Sequence, residues 1–149
     1  MTTFHWPLHS SATNLQLAKT YWDQGSLSQG DIVLDWDSKV PAIPVLMSQV
    51  LASSVTLASA QNASFWKSTA EAMLDQIVAA NGLVTLTSGG LLYFDGSSTL
   101  ASLNPALNSA MLLVKYAPLA TSTSKMNDYL AFAKLQLDYV LGNNPMQSR

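Results

Sequence analysis

At 149 residues the chain has room for one domain with a real core, 1–149. Only 11% of its residues are charged, where a soluble domain usually carries about 25%. Seven basic and nine acidic residues leave a net charge of −2. That excludes a nucleic-acid partner, which needs a basic stripe against phosphates. The chain has no cysteine, which removes disulfide scaffolds, thiolate zinc sites and cysteine nucleophiles. The two histidines, His5 and His9, both lie at the front, so neither a metal site nor a cofactor is expected. No apolar run approaches the 18 or more residues of a membrane span, and no membrane partner is expected. The first residues, Met1 to Pro7, lack the basic start and apolar stretch of a secretion signal. Asn62-Ala63-Ser64 fits a glycosylation sequon.

Apolar periodicity predicts five helices. The first runs over 12–24, with Leu15, Ala18, Tyr21 and Trp22 at three- and four-residue spacing and Gly25 as its stop. The second covers 41–53, with Ile43, Leu46, Met47, Val50 and Leu51 as its stripe; Pro41 and Pro44 fit because they fall in its first turn. The third, over 63–80, buries Trp66, Ala70, Met73, Leu74 and Ile77. Its polar face carries Lys67, Glu71 and Asp75, and Glu71, the only glutamate, reads there as a solvated surface residue. The fourth takes Asn104 as N-cap and Pro105 as first residue, and Pro118 halts it. It is apolar nearly all round, as a helix inside a structure is. The fifth, over 125–141, turns Met126, Tyr129, Ala133, Leu137, Val140 and Leu141 to one side. Short strands are expected at Ile32–Leu34, Leu83–Thr87 and Leu91–Phe94, the last two forming a hairpin.

The connections alternate, at about 16, 9, 24 and 7 residues, where helix–helix joints are usually about 2 to 8. With antiparallel neighbours, the two long connections and the tail after the fifth helix gather at one end. Function usually sits on such a face of a rigid scaffold. The first long loop holds Asp35-Trp36-Asp37-Ser38-Lys39, the second Gly89-Gly90-Leu91-Leu92-Tyr93-Phe94-Asp95-Gly96, and the tail Gly142-Asn143-Asn144-Pro145. Aromatic rings beside carboxylates suit sugars, because the ring stacks on a pyranose face and the carboxylate accepts from its hydroxyls. The same Asp and Asn residues also suit the stabilisation of turns and helix ends. Gly89-Gly90 is not a phosphate loop, since no Gly-Lys-Ser/Thr follows.

At these segments the chain resembles family nine of the glycoside hydrolases, the inverting endo-β-1,4-glucanases (cellulases), especially fungal-type members. Trp36-Asp37-Ser38-Lys39 is similar to the family's Trp-Asp-Asp-Lys element, with Ser38 in place of the second acid. Gly89 to Tyr93, followed by Ser102-Leu103-Asn104-Pro105-Ala106-Leu107-Asn108, is similar to its central segment. Asp138-Tyr139-Val140-Leu141-Gly142-Asn143-Asn144-Pro145 resembles its Asp-Tyr-(Ile/Val)-Leu-Gly-x-Asn-Pro signature. The similarity spans about residues 30–146, an internal to C-terminal portion of the catalytic domain.

The resemblance implies an all-α fold of helical hairpins, part of an (α/α)6 barrel, with a cleft at the long-loop end. It implies a β-glucan or cello-oligosaccharide as substrate, an extracellular location, and Trp36, Tyr93, Asn104 and Asn143 as substrate-binding residues. The family's catalytic Asp motif lies before the similar stretch and its catalytic Glu well beyond Pro145, so neither has a counterpart here. A substitute acid–base pair would come from Asp35, Asp37 and Asp95, with Asp31 as a further source. The alternative is a non-catalytic glucan-binding or structural half-barrel. Five helices cannot close a twelve-helix ring, so the unclosed edges are expected to pair with another copy, unless the Phe4-His5-Trp6-Pro7 arm covers one.

Overall fold

The structure, a computed structural model, describes residues 12–29, 32–53 and 62–147. The Phe4–Pro7 arm, His9, Asp31 and Arg149 lie outside the described residues. In chain order come α1 (Ala12–Gln24), a 3-10 turn at Leu27–Gln29, α2 (Ala42–Ala52) and α3 (Ala63–Ala79). Strands β1 (Val84–Leu86) and β2 (Leu92–Phe94) follow, then a single helical turn α4 (Ser98–Ala101). The chain continues through α5 (Leu103–Tyr116), a 3-10 turn at Ala117–Leu119 and α6 (Thr123–Val140).

Two helical hairpins stack on each other. α2 packs on α3, α5 packs on α6, and the first pair meets the second through α2 against α5 and α3 against both α5 and α6. Their shared core holds Leu74, Ile77, Phe94, Leu113, Tyr116 and Tyr129. A smaller core joins α1 to this stack, with Leu15 and Trp22 against Met47, Leu51 and Trp66. There the Trp22 and Trp66 rings meet edge to face, centroids 5.5 Å apart at 74°, a geometry that adds about 1 kcal/mol beyond burial. The architecture is all-α, as part of an (α/α)6 barrel is. No described helix is long and apolar enough to cross a membrane.

Side-chain hydrogen bonds tie like ends together. Asn108, in α5, donates to Leu34 O in the first long loop at 2.8 Å. At the opposite end Gln49 of α2 donates to Lys115 O of α5 at 3.0 Å.

The hairpin forms as expected, antiparallel, with Val84 opposite Phe94, Thr85 opposite Tyr93 and Leu86 opposite Leu92. Its turn is closed by Thr87 N donating to Leu91 O at 2.8 Å and Gly90 N donating to Thr87 O at 2.9 Å. Gly90 sits at φ +89°, a conformation that strains any residue with a Cβ.

Several expectations are corrected. Ile32–Leu34 is irregular, not a strand; its Leu34 carbonyl is satisfied by Asn108 rather than by a neighbouring strand. Tyr21 is 64% exposed, so α1 buries Leu15 and Trp22 without it. Leu46 is exposed on α2, where Pro44, Val45, Met47, Ser48 and Leu51 are buried instead. On α6 the buried stripe is Tyr129, Phe132, Ala133 and Gln136, while Leu137 and Leu141 face outward. Ala133 lies between Gln136 and Leu137 around the helix, and the hairpin covers the Gln136 side, which leaves Leu137 outward. Asn104 is not the cap of α5. The cap position falls on Ser102, and Asn104 lies inside the first turn, accepting from Asn108 Nδ2 at 3.1 Å.

Candidate functional site

The first long loop turns on Asp35. This residue is buried, and its Oδ1 accepts from the backbone N–H groups of Asp37 and Ser38, each at 2.9 Å. Asp35 N donates to Ser38 O at 3.2 Å, and the Lys39 ammonium donates to Asp35 O. Asp35 therefore does what an Asp in a tight turn does: it satisfies the backbone ahead of it. The turn it closes carries Trp36 at its apex, 54% exposed, with Asp37 exposed beside it.

On the hairpin, Leu92 and Phe94 point into the core, so the intervening Tyr93 faces the other way and is half-buried. Asp95 follows, exposed, its N–H donating to Leu83 O at 3.1 Å. The chain then bends into α4, where Ser98 Oγ accepts from Phe94 N at 2.9 Å. Asn104 is exposed at the start of α5.

The tail is folded back on the hairpin turn. Asn143 N donates to Asp138 O at 2.9 Å, and Asn144 Nδ2 donates to Tyr139 O at 2.9 Å. A Cβ on Gly89 would lie 2.7 Å from Pro145 Cγ and 3.1 Å from Tyr139, so only glycine permits this contact. Gln136, 1% exposed, completes the joint. Its Oε1 accepts from Leu92 N at 2.7 Å and its Nε2 donates to Gly90 O at 3.2 Å. The described hydrogen bonds thus fasten the Trp36 loop to α5, and the hairpin and tail to α6. Gln136 escapes a reading by periodicity because it is polar at a buried position; its three-residue spacing from Ala133 and Tyr139 was the available signal.

The second residue missed is Glu71. It is not a solvated surface residue: it is only 7% exposed. Its Oε1 accepts from Thr121 N at 2.7 Å and from Tyr116 OH at 3.4 Å. Its Oε2 accepts from Thr121 Oγ1 at 2.8 Å and from the Lys125 ammonium at 2.9 Å. Lys125 also pairs with Asp75 at 2.5 Å, whose other oxygen accepts from Tyr129 OH at 2.6 Å. Burial by itself would raise the Glu71 carboxyl, but the bonds from Lys125 and Thr121 outweigh it and hold it below the usual range. The bonds to Asp75 and Glu71 push Lys125 upward. Burial, with the nearby carboxylates, raises both tyrosines. A signal existed here too, since a tyrosine in the apolar stripe of α6 needs a partner for its hydroxyl. This cluster lies where α3 meets the short α5–α6 connection, away from the long loops.

Comparison with known proteins adds the ancestry. The family model for glycosyl hydrolase family 9 matches residues 6–148, reaching over α1 as well as the segments that carry the motifs. The chain is 38% identical to Endoglucanase 23 of Arabidopsis thaliana over 124 residues, 75% of this chain and 24% of that protein. It is 30% identical to Endoglucanase A of Bacillus pumilus over 117 residues, 76% of this chain and 16% of that protein. It is 33% identical to Endoglucanase 13 of Oryza sativa subsp. indica over 124 residues, 74% of this chain and 19% of that protein. The chain spans a quarter or less of the length of these relatives. No solved structure matches it. A family model that covers nearly the whole chain, on a stack of helical hairpins with loops gathered at one end, leads to one conclusion: the chain belongs to glycosyl hydrolase family 9.

Proposed function

We propose that the long-loop end binds a β-1,4-glucan chain or cello-oligosaccharide, as part of an endoglucanase-type catalytic domain. The observation that carries this reading is Trp36, held outward at the apex of a turn that the buried Asp35 closes. An indole fixed in that way stacks on a sugar face with little ordering cost. Tyr93, Asn104 and Asn143 supply further ring and amide contacts, and Asp37 and Asp95 accept hydrogen bonds from sugar hydroxyls.

Hydrolysis with inversion needs two carboxyl groups about 6.5–9.5 Å apart, one protonated and one ionised. In this reading Asp37 and Asp95 are the stronger substitutes, because Asp35 already accepts two backbone bonds. That engagement of Asp35 favours the second reading, a glucan-binding unit without turnover. Calorimetric titration with cellohexaose tests binding: Trp36→Ala should weaken it at least about tenfold, the effect of losing one stacked ring. Release of reducing ends from carboxymethyl cellulose separates the two readings. Activity that falls about a hundredfold or more in Asp37→Asn or Asp95→Asn supports catalysis; binding without release supports the glucan-binding unit.

Substrate of this kind lies outside cells, so we assign the protein an extracellular location, where the exposed Asn62, at the start of α3, is a glycosylation acceptor. The reading also includes pairing with a second copy through the outer face of α5 and α6. There Met111, Val114, Leu130 and Leu137 are exposed along a groove of about 410 Å3 flanked by Lys115 and Lys134. Light scattering after size exclusion tests it, with Val114→Lys expected to yield the 16.0 kDa monomer.

A further inference from the structure

We propose that Asn81-Gly82, in the turn between α3 and β1, is a site of spontaneous backbone modification, where the asparagine passes through a cyclic imide to aspartate and isoaspartate. The two residue types supply the chemistry. The Gly82 backbone nitrogen, once it yields its proton, attacks the side-chain carbonyl carbon of Asn81. A bond forms between Gly82 N and Asn81 Cγ, the Cγ–Nδ2 bond breaks, and Nδ2 leaves as ammonia with the proton. Water then opens the imide. Addition at Cγ gives aspartate. Addition at the backbone carbonyl carbon breaks the original peptide bond and gives isoaspartate, with the chain now running through the side chain. Water is the only co-reactant.

The structure leaves both reacting groups free. α3 ends at Ala79, Ala80 turns left-handed at φ +47°, and Gly82 follows at φ +69°. Asn81 and Gly82 are both exposed. Among the described residues nothing bonds to the Asn81 side-chain amide, and the Gly82 N–H donates to no acceptor. An amide already given to an acceptor must break that bond before it can attack, and this one need not. Space is open as well, since a Cβ on Gly82 would meet only the tip of the Gln76 side chain, at 3.3 Å.

The other asparagines lack one of these conditions. Asn104 and Asn144 precede Pro105 and Pro145, which have no N–H. Asn14, Asn108 and Asn127 lie within α1, α5 and α6, whose backbone would have to open before a ring could close. Asn62 and Asn143 precede Ala63 and Asn144, whose side chains crowd the attacking nitrogen.

The modification acts on what the turn holds. The Asn81 carbonyl oxygen accepts from Val84 N at 3.3 Å, and Val84 is fully buried at the start of β1. Leu83 O, inside the same turn, accepts from Asp95 N at 3.1 Å and closes the open end of the hairpin. In isoaspartate the Asn81 oxygen belongs to a free carboxylate, and the backbone is longer by one methylene. Either product adds a negative charge to a net −2. The end of the hairpin next to Asp95 therefore loosens as the protein ages. No sugar enters this inference, so it stands apart from the glucan reading.

Incubation of the intact protein at mildly alkaline pH, followed by peptide mass mapping and isoaspartate-specific methyl labelling, tests the site. The expected result is replacement of NH2 by OH at Asn81 ahead of every other asparagine, with isoaspartate among the products. The rate in the folded protein should lie within about tenfold of the rate in urea, where no turn exists. Asn81→Ser removes the side-chain amide and should abolish the product. In the isoaspartyl form, separated by anion exchange, the Val84 and Asp95 amides should exchange with deuterium at least about fivefold faster, the loss of one hydrogen bond. Conversion that slows more than about tenfold on folding, or that begins at another asparagine, would overturn the site. Unchanged exchange at Val84 and Asp95 would overturn its link to the hairpin.

Discussion

The two ends of the helix stack use their acidic residues in opposite ways. At the short-connection end, Glu71 is buried and accepts from a backbone amide, a threonine, a tyrosine and a lysine, and Asp75 takes a second tyrosine and the same lysine. At the long-loop end, Asp37 and Asp95 stand exposed, while Asp35 turns inward, onto its own loop. Displaced titration is often taken as a mark of a functional site. Here the most densely bonded carboxylate is the one that joins α3 to the α5–α6 turn. Its bonding capacity is consumed by the protein, whereas a carboxylate that meets a ligand must keep its lone pairs available.

The comparison breaks most visibly at Glu71. Removing one partner of a buried ion pair costs about 3–5 kcal/mol, and the Lys125 side chain, 34% exposed, recovers part of that in water. Glu71→Ala should therefore destabilise by about 2–3 kcal/mol in urea unfolding. A loss under about 1 kcal/mol would mean the cluster is not what holds that end.

The same cluster sets a pH dependence. The Glu71 carboxyl is lowered in the folded state, so its stabilisation is present above its unfolded value, near 4.3, and is lost as pH falls through the lower folded value. Lys125 is raised, so its share is present below its unfolded value, near 10.4, and is lost as pH rises through the higher folded value. Stability followed by thermal melts should fall on both sides of this window, and Glu71→Gln should flatten the acid limb.

At the long-loop end the effects shrink. Asp35→Ala removes the acceptor for two backbone amides and should cost about 1–2 kcal/mol, while also releasing the Trp36 turn, readable as weakened cellohexaose binding. Asp37→Asn should change unfolding by no more than about 0.5 kcal/mol, as exposed substitutions usually do. If Asp37→Asn destabilised as much as Glu71→Ala, the contrast between the two ends would fail.

What the sequence determined by itself is local. Five helices, within about two residues of their observed ends, follow from apolar spacing with Pro and Gly as punctuation, because a helix is made of contacts three and four residues apart. The hairpin follows from short apolar runs around a glycine turn, and the long-loop end follows from loop lengths alone. Trp36 as an exposed aromatic was legible in its motif. Tertiary structure decided what lies far apart along the chain. Glu71 became buried because Thr121, 50 residues on, reaches it. Gln136 became a core residue because Leu92, 44 residues before it, supplies an N–H that needs an acceptor. Which side of α6 is covered depended on where the hairpin lands, so Phe132 and Gln136 went inward and Leu137 outward. Polarity states what a side chain needs, and only the packed chain decides whether water or a distant partner supplies it.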